Sequence, residues 1–136
     1  MSIPCAPLTS KQTLLLILVP MLGTFACQRL CLHLGGVRHV YPGGYLVHHL
    51  FFGVLIVIPA AFLLAFGVRR RWLAIAVRVA LGMGTAMILD EIVFLVATKA
   101  ADKDYVSNTS LWGAAGFISV GVILLGVIYK WQRRDE

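Results

Sequence analysis

The sequence predicts an all-α, polytopic membrane protein: a four-transmembrane-helix bundle with both termini cytoplasmic. Three observations predict it. Hydrophobic residues make up 60% of the 136-residue chain and charged residues only 13%, with a mean hydropathy of +0.88, too apolar for an ordinary soluble domain of this length. Four apolar stretches are each long enough to cross about 30 Å of hydrocarbon as a helix of roughly 20 residues. The basic residues gather in the connections and tails that such a threading puts on one side.

The first span is expected over about residues 13–32, after Lys11. Within it, Thr24-Phe25-Ala26-Cys27 faintly matches a lipoprotein cleavage site. Thr24 stands where leucine is usual, however, and the apolar run continues through Leu30 and Leu32, so the segment is read as a span rather than a cleaved leader. The second and third spans are expected over about 45–68 and 73–98, separated by Arg69, Arg70 and Arg71. The fourth covers about 111–131, with Thr109 or Ser110 as its helix cap. Pro20 and Pro59 fall inside spans one and two, where the missing N–H kinks the helix and frees backbone groups that the bundle must satisfy. Ala80 with Gly84, and Gly82 with Ala86, let span three approach a neighbour closely, and Gly113, Gly116, Gly121 and Gly126 do the same along span four. Tyr45, Trp72, Trp112, Tyr129 and Trp131 lie near the expected boundaries, where amphipathic rings sit at head-group level. The connections leave no room for a soluble domain, so residues 1–136 read as a single transmembrane domain.

Lys11, the Arg69-Arg70-Arg71 turn, and Lys130, Arg133 and Arg134 all fall on one side, which the positive-inside rule makes cytoplasmic. The outward loops, about 34–44 and 99–110, are less basic, with Arg38 in one and Lys99, Asp102, Lys103 and Asp104 in the other. This asymmetry accounts for the formal charge of +6. Nucleic acid is not an expected partner, because the basic residues flank spans rather than line a groove. Membrane lipid is.

The chemistry is expected where two ionisable pairs interrupt the apolar runs: His48 and His49 at the start of span two, Asp90 and Glu91 deep in span three. Ionisable side chains cost several kcal/mol in hydrocarbon and persist there when they face the protein interior, pair with one another or hold an ion. The orientation puts both pairs in the outward half. Adjacent helical residues point about 100° apart, so each pair straddles a wide inward face rather than aiming at one point. Imidazole with carboxylate suits a transition metal, zinc or iron foremost, with His48, His49, Asp90 and Glu91 as ligands and Asp104 completing the site. One carboxylate can instead orient a ring N–H from outside the coordination sphere. The carboxylate–bundle pattern E-x-x-H is absent, since Phe94 stands three residues after Glu91, and so is H-E-x-x-H, which removes the di-iron and zinc-protease readings.

Other residues compete for roles. Arg29 near the outer end of span one is the natural counter-ion for Asp90 or Glu91, and an ion pair of that kind needs no metal. His33 and His39 read as solvated loop histidines. Asn108-Thr109-Ser110 matches a glycosylation pattern, but a cap is the more economical reading. Cys27 and Cys31 share a face of span one; their spacing suits a soft metal better than a disulfide, and buried, inert thiols are expected. With Cys5 as the only other cysteine, the two cysteine pairs of a membrane disulfide-generating enzyme are missing.

The stretch His48-His49-Leu50-Phe51-Phe52-Gly53, the run 82–91 ending in Leu89-Asp90-Glu91, and Asp104-Tyr105 before Ser110-Leu111-Trp112-Gly113 resemble a group of small uncharacterised four-span bacterial integral membrane proteins. The resemblance covers about the middle two thirds of the chain, implies a bacterial cytoplasmic (inner) membrane as the location, and implies no activity. The leading expectation is therefore an outward-facing intramembrane metal site, which in an enzyme would act on a lipid or other small hydrophobic substrate, with Glu91 as the catalytic general base. The alternatives are a small ion- or proton-coupled transporter or channel subunit, for which a homo-oligomer is expected, and a structural partner in a larger membrane complex.

Overall fold

A computed structural model describes residues 8–35, 48–99 and 101–134, apart from the side chains of 102 and 103, and every regular element among the described residues is helical. The elements are α1 (Ser10–Gly35), α2 (His49–Ala65), α3 (Arg71–Ala97), the single turn α4 (Asp102–Tyr105) and α5 (Asn108–Gln132). Three of them, α1, α3 and α5, are long and apolar enough to cross a membrane. The 17 residues of α2 are as apolar but shorter, reaching roughly 25 Å.

Local chemistry sets where these helices begin and end. Thr9 and Gln12 form a reciprocal capping box at the start of α1: the Gln12 N–H donates to Thr9 Oγ1 (3.2 Å) and the Thr9 N–H to Gln12 Oε1 (3.1 Å). At the other end of α2, the chain turns at Gly67, whose φ of +79° suits a residue without Cβ, and the Gly67 N–H donates to Leu64 O at 3.2 Å. That turn ends α2 at Ala65, three residues before the expected boundary. The expected start of span two, including Tyr45, lies outside the described residues. For α5 the cap is Ser107, whose hydroxyl accepts the Ser110 N–H at 3.2 Å. The expected caps Thr109 and Ser110 are therefore displaced, because the helix starts earlier than its apolar run.

Helix α3 is central, packing against α1, α2 and α5, while α1 also packs against α5. Its small residues explain why. A Cβ on Gly82 would collide with the Ile17 backbone of α1, and one on Gly53 of α2 would lie 2.7 Å from Gly84 O. Both crossings thus depend on an absent side chain. Of the span-four glycines, Gly113 abuts Val93 and Gly121 approaches Leu89 and Met21, but Gly116 and Gly126 face open space. Met21, Ala86 and Ile118 form a small buried core, flanked by Leu18, Phe25, Leu89, Val122 and Leu125. Large apolar side chains such as Phe62, Val96 and Ile123 stay mostly exposed, as a lipid-facing surface does and a water-facing one rarely does. Trp72, Trp112 and Trp131 are exposed near helix ends. Cys27 and Cys31 are free and exposed rather than buried, because the face of α1 they share turns away from α3.

Candidate functional site

One cluster of charge is buried where α1 and α3 near their C-termini and α2 and α5 begin. Arg29, Asp90 and Glu91 are 6%, 0% and 1% exposed and Ser110 is fully buried. Such burial is tolerable only if each polar atom finds a partner.

Arg29 reaches from α1 into three elements. Its Nε donates to Asp90 Oδ1 at 2.6 Å. Nη1 donates to the Tyr105 carbonyl (3.1 Å) and Ser110 Oγ (3.3 Å), and Nη2 to the Asp90 carbonyl (3.2 Å) and to Ser110 O and Oγ (both 3.3 Å). The guanidinium thus clamps α3, α4 and α5 together, using the planar fork that suits arginine to several acceptors at once. Phe25 and Tyr105 present their rings to its Cζ at 5.9 and 5.6 Å.

The two acids divide their work, as adjacent helical residues must. Asp90 turns to Arg29 and to Tyr105, whose hydroxyl donates to Oδ2 at 3.3 Å, with His49 Nε2 3.4 Å from the same oxygen. Glu91 turns to α2. Its Oε1 lies 2.6 Å from His48 Nδ1, and its Oε2 accepts the Leu50 N–H at 2.6 Å. His48 is the N-cap residue of α2 and makes no cap bond with its own side chain. A carboxylate from another helix therefore satisfies an orphan donor at the positive end of α2. His49 Nδ1 lies 3.7 Å from Glu91 Oε2, so His49 stands between the acids, and its Nε2 is 2.6 Å from the Tyr105 hydroxyl.

Aromatic rings close the site. Phe94 packs against Tyr105 with centroids 4.4 Å apart and ring planes tilted by 59°, and lies 6.1 Å from the His48 ring. It lies one turn beyond Asp90 and Glu91, where a di-iron pattern would carry histidine; here it supplies a dry wall instead. Burial, and then the Asp90 and Glu91 charges, push the Tyr105 hydroxyl above the usual phenol range despite Arg29 beside it. The hydroxyl is therefore a neutral donor at any physiological pH.

Of the residues expected at a site, His48, His49, Asp90 and Glu91 converge, and Arg29 joins Asp90. Asp104 is engaged elsewhere: its Oδ2 accepts the Ala101 N–H at 3.4 Å at the start of α4, beside a surface cavity bounded by Lys99 and Ser107. His33 is exposed in the last turn of α1. His39, Arg38 and Cys5 lie outside the described residues, as does the Asp102 side chain. Among the described residues, no group of three or more His, Cys, Asp and Glu side chains is arranged to hold a metal ion.

Two members of the cluster were not legible beforehand. Tyr105 carried no signal beyond its place next to Asp104, and Ser110 looked like a cap. Arg78, also within span three, donates from Nη1 to Ala74 O at 2.9 Å and lies toward the Arg69–Arg71 end, away from the cluster. Comparison with family models, curated proteins and solved structures finds no match for this chain.

Proposed function

We propose that this chain is a four-span integral membrane protein of a bacterial cytoplasmic membrane, and that the outward half of its helices binds an exchangeable cation as part of a small carrier or channel subunit. The supporting observation is a charge count. Two carboxylates, Asp90 and Glu91, are buried against a single guanidinium, so Glu91 has only the His48 and His49 rings beside it as partners for its charge. An uncompensated charge in a dry site is costly, so the site draws a positive species. His49, partly exposed and within reach of both acids, is the side chain through which that species enters. Span number and cytoplasmic termini rest on the apolar runs and basic flanks; α2 is the shortest of the four. Four helices enclose little space, and pairing with a second copy would complete a path.

A second reading is a transition metal, zinc or iron, held by His48, His49 and Asp90, with Glu91 just outside the coordination sphere. It draws on the 2.6 Å approach of Glu91 to His48 Nδ1, the arrangement by which a carboxylate orients a ring for metal at its other nitrogen. In an enzyme of that kind Glu91 would be the general base and Asp104 no ligand. Elemental analysis of detergent-purified protein and ion flux in liposomes separate the two. The carrier reading expects metal-free protein whose flux is lost in Glu91→Gln. Near-stoichiometric metal, lost in His49→Ala and Glu91→Ala, overturns it in favour of the metal.

A further inference from the structure

Beside the buried acids lies a cleft that the charge cluster itself does not use. It has a volume of about 560 Å³, within the range of small-molecule sites. Among the described residues it is lined by Gln28, Cys31, Leu32, Leu34 and Gly35 of α1 and by His49 of α2. The lining is apolar except at Gln28 and His49. Leu34 is 80% exposed, which gives the cleft an open, greasy rim.

From this juxtaposition we propose that the cleft binds a lipophilic amine, a molecule with an apolar body and one protonated amino head, as the cation of the site just described. The proposal rests on that reading and names its substrate class. Two observations select the head. Gln28 lines the cleft, and its Oε1 atom is buried with no hydrogen-bond partner among the described residues, so a rotation of its amide would present an unused acceptor to a donor head. His49 forms part of the lining and stands 3.4 Å from Asp90 Oδ2 and 3.7 Å from Glu91 Oε2, so a head that reaches its ring enters the field of the excess carboxylate. An anionic head meets the opposite situation. The nearby guanidinium, Arg29, is buried and already donates from all three nitrogens, and no Lys or Arg is among the described lining residues. The apolar rim selects the body, because a ligand dissolved in the bilayer arrives along exposed α1 side chains rather than from water.

Three probes with one body and different heads test this: 4-phenylbutylamine, 4-phenylbutan-1-ol and 4-phenylbutanoate, titrated calorimetrically into the full chain in lipid nanodiscs, with empty nanodiscs subtracted. The amine is expected to saturate at one per chain and to bind at least about tenfold more tightly than either other probe, since head-group charge beside a buried carboxylate outweighs the shared body. Cys31→Trp, which places an indole in the cleft, is expected to abolish the saturable phase, and Gln28→Leu to weaken it about five- to tenfold by removing one hydrogen bond. Helicity by circular dichroism identifies folded variants. Equal binding of all three probes, tighter binding of the butanoate, or amine binding unchanged in folded Cys31→Trp and Gln28→Leu overturns the proposal. Liposome flux of inorganic cations that depends on Glu91, without saturable amine binding, would remove the amine and leave the cation carrier standing.

Discussion

Midway along α3 the neighbouring helices meet it through side chains that are missing, at Gly82 against Ile17 and at Gly84 against Gly53, whereas two turns later they meet it through Asp90 and Glu91. The difference reflects what lipid removes. Hydrocarbon surrounds these helices as comfortably as neighbouring side chains do, so apolar burial contributes little to holding them together, and close packing and polar bonds must. The glycine crossings supply packing that admits no added atom but carries no charge. The polar end supplies bonds of high specificity and gathers two buried carboxylates around one guanidinium, and that is where the proposed ligand would act.

Substitutions can break this contrast, beginning with the largest expected effect. Arg29→Leu leaves Asp90 buried without its cation, and should cost about 3–5 kcal/mol in denaturant titrations of the micellar protein. Adding Asp90→Leu should recover most of the loss, because the orphaned charge is then removed as well. A single variant as stable as wild type would show that the clamp is dispensable. Next, Gly82→Val should cost about 1–3 kcal/mol by forcing α1 off α3, read as a fall in thermal midpoint.

Glu91→Gln keeps an acceptor for the Leu50 N–H; the weaker bonds and the relief of a buried charge oppose each other, so a net change within about 1 kcal/mol is expected in the same assay. Tyr105→Phe should cost about 0.5–1.5 kcal/mol and also change a pH profile. The hydroxyl pKa is raised above its ordinary value of 10.0, so below about pH 10 folded and unfolded chains both keep the proton and this group gives no slope. Above it only the unfolded chain releases the proton, and stability falls as pH rises. The part of the wild-type alkaline loss that comes from Tyr105 should vanish in the Phe variant. Gly116→Ala, on a glycine with nothing near it, should change the midpoint by less than about 0.5 kcal/mol in equivalent stability.

The helices were legible because each apolar run exceeds what a soluble core needs, and the acid and histidine pairs were legible because charge stands out in such runs. The pairing of Asp90 with Arg29 was foreseen as one outcome among several, but its geometry was not. The helices are apolar on every face, so no amphipathic stripe marks which side turns inward. That is why Cys27 and Cys31, expected inside, lie outside, and why nothing in the pattern marks Gln28, one residue along the same helix. The cap expected at Ser110 falls at Ser107 instead for a related reason. The role of Ser110 depends on α5 starting at Asn108, a boundary set by the Ser107 hydroxyl rather than by hydropathy. Tyr105 reaches His49 and Asp90 only because the single turn of α4 folds back over the end of α3, and nothing in the sequence announced that fold.

The most direct test of the central claim is ligand-dependent stability of the polar end, measured as the thermal midpoint of wild type and Glu91→Gln against zinc, manganese, sodium, 4-phenylbutylamine and pH between about 5 and 8. The account predicts that at least one cation, the proton included, raises the wild-type midpoint in a saturable way and that Glu91→Gln loses this response while remaining folded. A wild-type midpoint indifferent to every cation, or an equal rise in both proteins, would contradict it.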